Sequence, residues 1–225
     1  MYSINLAKIT LDEFERILFT AQLLPSQKGI LNNLSLNMQK LEIKGFGNLR
    51  ELQNLLKKKN EYDLISKDIG VNIEFLILLN RMVNSFVVKV VALEKLEVFT
   101  GEELMLLSNE NIKNTEHFYE VLRISGQIEN LSINLHIPIN KLEYALHIID
   151  LLRINGVGVE YAKTLYHIGI KSVDDYNKTP SETILKSVQE FNKHNKNHNK
   201  ATLGISDIDY CRRFGQKLDC DLKDI

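Results

Sequence analysis

The feature that most constrains this chain is a nine-residue pattern that occurs three times. It reads Leu41-Glu42-Ile43-Lys44-Gly45-Phe46-Gly47-Asn48-Leu49, then Leu107-Ser108-Asn109-Glu110-Asn111-Ile112-Lys113-Asn114-Thr115, then Leu165-Tyr166-His167-Ile168-Gly169-Ile170-Lys171-Ser172-Val173. Each copy reads as a helix end, a Gly or Asn, an apolar residue, a capping residue and the start of a new helix. Gly and Asn exchange for a physical reason: both enter the left-handed backbone region that stops a helix. A second landmark follows each copy: Ile69-Gly70-Val71-Asn72, Leu135-His136-Ile137-Pro138 and Leu203-Gly204-Ile205-Ser206. Copies one and two stand 66 residues apart at both landmarks. Copies two and three stand 58 apart at the first and 68 at the second. The extra ten residues coincide with an Asn- and Lys-rich stretch at 192–200, where a surface insertion is tolerated. The pattern predicts an all-α chain of repeated helical units: an N-terminal helix within 1–24, then units at 25–90, 91–150 and 151–225.

Capping chemistry supports the same reading. Thr10 with Glu13 and Thr100 with Glu103 fit the box in which a hydroxyl and a carboxylate satisfy orphan amides at a helix start. Ser172 with Asp175 and Ser206 with Asp209 are similar, and Thr179-Pro180 places a proline at an expected first helical position. Phe14, Ile17, Leu18 and Ala21 share one helical face, as do Phe75, Leu76, Leu79, Met82 and Val83. Ser85 to Val91 is rich in β-branched residues, but no second strand is available to pair with it, so it reads as an extended connector. Residues 192–200 read as a loop or a frayed helix end.

With 44% hydrophobic and 25% charged residues, the chain has the composition of a folded protein. The net charge of −1 hides an asymmetry. Residues 1–90 carry 12 basic and 9 acidic side chains, residues 91–150 carry 4 and 10, and residues 151–225 carry 12 and 10. The acidic middle repels a nucleic-acid backbone, so a partner of that kind would use one end of the chain. Cys211 and Cys220 lack metal or redox spacing and read as free thiols of a reducing cytoplasm. No apolar run reaches membrane length and no secretory leader opens the chain, so the expected location is cytoplasmic, with no membrane partner. No nucleophile elbow, phosphate loop, dinucleotide fingerprint or metal triad occurs. The chain therefore reads as not an enzyme, with no cofactor, no metal and no small-molecule substrate. His194 and His198 have zinc-ligand spacing but no third ligand, and read as solvated. Leu64 to Met82, with Gly70 in the turn, has the outline of a DNA-reading helix pair. Asn72, Glu74, Asn80 and Arg81 would supply little positive charge there, so helix packing explains it better.

Residues 151–170 contain Arg153, the run Gly156-Val157-Gly158, then Ala162, Leu165 and Gly169. This resembles the helix-hairpin-helix motif, in which a Gly-apolar-Gly turn joins two helices and a small residue four positions on allows close packing. The glycines let amides approach an anion at a helix start. Together with Leu24-Pro25-Ser26, Val83-Asn84-Ser85, Asn114-Thr115 and the stretch Leu152 to Val173, the chain resembles a bacterial family catalogued as domain of unknown function 4332, related to helix-hairpin-helix domains. The resemblance implies an all-α fold of tandem helix-hairpin-helix-like units and no activity. The other copies depart from the motif: Val98, Phe99 and Thr100 stand where the turn would be in copy two, and Asn32 to Leu34 in copy one. Two functions follow. One is weak binding of a DNA or RNA backbone, without sequence preference, through Arg153, Gly156, Val157, Gly158, Lys163 and Lys171. The alternative is an adapter that binds another protein, with the turn serving only to pack helices.

Overall fold

The computed structural model describes residues 1–195, 203–220 and 222. The three aligned turns share one backbone geometry. Gly45, Asn111 and Gly169 have φ of 91°, 62° and 90°. In each, the amide two residues past the helix's last turn closes on the leucine that opens the pattern: Phe46 to Leu41 at 3.1 Å, Ile112 to Leu107 at 2.9 Å and Ile170 to Leu165 at 2.9 Å. This is the six-to-one bond that ends a helix around a left-handed residue. Asn48, Asn114 and Ser172 then take extended backbone and accept the amides of Glu51, His117 and Asp175, which starts the next helix.

The second landmark recurs twice, not three times. Gly70 and His136 both have positive φ, and the Ser66 and Ser132 hydroxyls donate to the carbonyls of Val71 and Ile137 at 2.6 and 2.7 Å. Gly204 instead has φ −110° and caps a helix, its amide donating to the Asp207 carboxylate at 2.8 Å. Ser206, expected as a cap, therefore lies inside that helix. A glycine whose amide is closed by an acid three residues on needs no side-chain cap from Ser206.

Two compact units result: Asn5–Val87, called here the insert, and a main body that joins Met1–Ile4 to Val88–Ile225. The insert holds α1 (Leu11–Thr20), α2 (Leu34–Ile43), α3 (Leu49–Leu56), α4 (Tyr62–Ile69) and α5 (Ile73–Asn84), with short 3-10 turns between. Within it α1 packs on α2, and α5 packs on α3 and α4. Phe14, Leu41, Leu52, Leu79 and Val83 are buried there, and Phe14 meets Phe86 edge-on at 5.7 Å.

The main body holds α6 (Gly101–Asn109), α7 (Thr115–Leu122), α8 (Gln127–Leu135), α9 (Ile139–Leu152), α10 (Val159–His167), α11 (Val173–Lys178), α12 (Ser181–His194) and α13 (Ile205–Gly215). Residues 91–150 and 151–225, read from sequence as separate units, both fall in this one body. Helix α9 is its centre. It packs on α7, α8 and α10, and Leu142, Leu146, Ile149 and Leu152 are among its buried side chains. A helix covered on several faces is apolar nearly all round, which explains its composition. Helix α13 packs on α11 and α12.

The expected caps at Thr10 and Thr100 are made, the second with both bonds of the box. Pro180 sits one position earlier than expected, as the cap of α12, while Thr179 closes α11 through its hydroxyl on the Asp175 carbonyl at 2.7 Å. Residues 88–91 form no strand. Among the described residues only isolated bridges occur, Thr10 with Asn48 and Ala92 with Asn114, so the fold is all-α. Helix α12 extends to His194, whose Nδ1 lies 2.9 Å from the Glu190 carbonyl oxygen, and His198 falls outside the described residues. Among the described residues no helix is long and apolar enough to cross a membrane.

Candidate functional site

The turn between α9 and α10 carries the sequence-predicted site. Arg153 caps α9, Val157 donates its amide to the Ile154 carbonyl at 3.0 Å, and Gly156 has φ +96°. That φ alone favours glycine. The surroundings demand it a second time: a β-carbon on Gly156 would stand 2.7 Å from the Cys211 sulfur and 3.6 Å from the Tyr210 ring. Helix α13 thus stands on the side a Gly156 side chain would take, while the glycine itself is exposed. Val157 is buried, and Ala162 is fully buried where α10 packs on α9. Gly158 differs. It starts α10 with no side-chain cap, and a β-carbon there would meet nothing within 4 Å.

Arg153 is not a surface charge. It is 1% exposed, and each of its five N–H donors has an acceptor. Nε donates to the Tyr2 carbonyl at 2.9 Å, and Nη2 to the carbonyls of Met1 and Asp219 at 3.0 and 2.9 Å. Nη1 donates to the Tyr119 hydroxyl and the Asp150 carboxylate. The guanidinium also lies over the Tyr119 ring, 4.3 Å from its centre. The other Asp150 oxygen accepts the Val173 amide at 2.7 Å. Burial pushes the Asp150 carboxyl up, opposed by the Arg153 charge and the Val173 amide. Arg153, expected from sequence to contact phosphate, is instead enclosed: Asp150 sits one helical turn before it, and two chain segments, Met1 with Tyr2 and Asp219, bring carbonyls to it, so its charge is neutralised inside the body.

The two lysines are also partnered. Lys163 Nζ lies 3.0 Å from Glu160 and 3.5 Å from Glu97. Burial alone would lower its pKa, but the two carboxylates more than offset that and raise it. Lys171 is exposed, with its Nζ 5.3 Å from the centre of the Tyr166 ring. Of the six sequence-predicted residues, then, Gly156, Gly158 and Lys171 are exposed, Lys163 is held by acids, and Arg153 and Val157 are buried.

Sequence reasoning missed Asp150, Tyr119 and Tyr2. The three-residue spacing of Asp150 and Arg153 was a usable signal, whereas Tyr2 lies 151 residues from its partner. It also missed a file of rings: Tyr144 edge-on to Tyr166 at 4.8 Å, and His167 stacked on Phe191 at 5.7 Å and 10°. A half-open cavity of about 430 Å³ lies beside α11, lined by His147, Lys171, Ser172 and Lys178 among others. Its groups are engaged internally: His147 Nδ1 is 3.0 Å from the Lys171 carbonyl oxygen, and Lys178 is 2.5 Å from Asp174. Burial lowers the His147 pKa. Among the described residues no group of three His, Cys, Asp or Glu side chains could hold a metal. Cys211 is a buried free thiol. In the insert, Asn72 caps α5 through the Glu74 amide and Asn80 pairs with Asn84, while the apolar face of α5 is buried.

Helices joined through left-handed turns, with one turn flanked by a neighbouring helix, define an all-α protein of packed helical hairpins. The chain belongs to the family described as Domain of unknown function (DUF4332), which matches over residues 96–209, a stretch that lies within the main body. No curated protein and no solved structure matches it.

Proposed function

We propose that this chain is a non-enzymatic protein-binding module, and that its Gly156–Gly158 turn fastens its own helices rather than a phosphodiester. The observation that carries this reading is the crowding of the turn by α13. The Cys211 sulfur occupies the space a Gly156 side chain would need, and the chain's own oxygens take every donor of Arg153. The local charge agrees, because Glu160 and Glu97 flank Lys163 where a phosphate would have to approach. Several large apolar side chains face solvent and are the anchors a protein partner would cover. They include Ile43 and Leu64 in the insert, and Met105 and Ile133 in the main body. Cys211 is no activated thiol, since burial pushes its pKa to about 11.

One observation favours the second reading, weak binding of a nucleic-acid backbone. The start of α10 has no side-chain cap and Gly158 is open, so amides there are free to meet an anion. Fluorescence anisotropy with a short duplex and a single-stranded oligonucleotide, at low and high salt, separates the two. No saturable binding is expected at either salt. Saturable, salt-sensitive binding that is lost in Gly158→Glu would reinstate the nucleic-acid reading. In the positive arm, Met105→Lys with Ile133→Lys is expected to keep the wild-type helical signal and melting temperature while losing a protein crosslinked to the wild-type chain in its source cells. Retention of that crosslink would remove these side chains from the interface.

A further inference from the structure

Met1–Ile4 belongs to the main body although residues 5–87 separate it from the rest of that body. It has no regular structure of its own, yet Tyr2 and Ile4 are buried. Tyr2 makes contacts on every side. Its hydroxyl donates to the Lys89 carbonyl at 3.0 Å and lies 2.8 Å from the Thr115 hydroxyl, which accepts the Val91 amide at 3.0 Å. Its amide donates to the Glu120 carboxylate, its carbonyl accepts from Arg153 Nε, and its ring meets Tyr119 edge-on at 5.7 Å. The segment therefore reaches the connector at 88–91, the start of α7, and the turn after α9.

We propose that Met1–Ile4 is a releasable strap that closes the main body over Arg153. Seated, it supplies two of the five acceptors around the guanidinium, the carbonyls of Met1 and Tyr2. Unseated, it leaves Nε and one Nη2 proton buried without partners, while Asp150, Tyr119 and Asp219 still hold the other donors. A charged group with unmet donors in a dry interior is strongly disfavoured, so the residues around it must rearrange to admit water. Departure of the strap and loosening of α7 and the α9–α10 turn are then one event. The strap is a two-position element held by hydrogen bonds and two side chains, and the open position differs from the closed one in the solvation of a single guanidinium.

Hydrogen–deuterium exchange on the full-length chain tests this. Tyr2→Ala is expected to speed exchange about 100-fold at residues 116–122 and 150–157, leaving α12 and the insert helices α3 and α5 at wild-type rates. Adding Arg153→Met together with Asp150→Asn is expected to bring those segments back to within about tenfold of wild type, because neither charge of the buried pair then remains to be left without a partner. Tyr2→Phe, which keeps the ring and loses only the hydroxyl, is expected to speed the same segments by about tenfold only. Wild-type exchange in Tyr2→Ala, acceleration spread evenly over α6 to α13, or no recovery when Arg153→Met and Asp150→Asn are added together would each overturn the strap.

Discussion

Asn48 in the insert and Asn114 in the main body cap their helices with nearly the same backbone, φ −151° and −149° with ψ 167° and 174°. What lies inward of them differs. The insert is filled by side chains such as Leu52, Leu79 and Val83, and its buried polar side chains are Asn37 and Gln53. The main body places Thr115, Asp150 and Arg153 in its interior. One local code for turns is thus compatible with two kinds of centre. An apolar centre is tolerant of small errors, whereas an ion pair with five acceptors is correct only when every partner is present.

Removing a partner should expose that difference most sharply. Arg153→Ala is expected to destabilise the main body by about 3–5 kcal/mol, because it strands Asp150, while Gln53→Ala in the insert costs about 1 kcal/mol or less. Urea unfolding of the two variants checks this, and similar losses would erase the contrast. The next largest effect is at Gly156. Gly156→Ala combines positive φ with a clash against Cys211 and is expected to cost about 2–3 kcal/mol. Adding Cys211→Ala should return the part due to the clash. Gly169→Ala, with nothing within 4 Å, should cost only about 1 kcal/mol.

Alkali sharpens the comparison from another side. Burial pushes the Tyr2 phenol to about 12 and the Cys211 thiol to about 11, and raises Tyr161 and Tyr176 as well. Groups whose folded pKa is raised stabilise the fold fully below their ordinary values and lose that contribution as pH rises through the folded ones. Main-body stability should therefore fall between about pH 10 and 12, by roughly 2–3 kcal/mol from Tyr2 alone. Tyr2→Phe should flatten the profile of urea midpoint against pH over that range. The smallest expected effect is a gain. Asn111→Gly relieves a positive φ of 62° and should add about 0.5 kcal/mol, read as a small rise in melting temperature.

These cases also mark what was legible beforehand. The exchange of Gly45, Asn111 and Gly169 could be read from sequence because the left-handed backbone is a property of the residue itself. The caps at Thr10, Thr100 and Ser172 were legible for the same reason, since the amides that donate to them lie three residues away. Gly156 was identified as a turn glycine, but the sulfur that requires it comes from α13, 55 residues on, and no spacing announces that contact. Arg153 was misread for a related reason. A charged residue beside a glycine turn looks solvent-facing until chain segments from both ends of the sequence are laid over it. Ser206 failed as a cap because Gly204 and Asp207 close that helix start without it.

The placement of Met1–Ile4 has a consequence for how the protein is made. Arg153 leaves the ribosome 151 residues after Tyr2. At about 5–20 residues per second, the tyrosine waits roughly 8–30 seconds for its partner. The insert, whose residues are contiguous, can fold during that interval, but the main body cannot close over Arg153 until those residues have been translated. Closing so long a loop is slow, so nascent chains should accumulate with a finished insert and an unfinished main body.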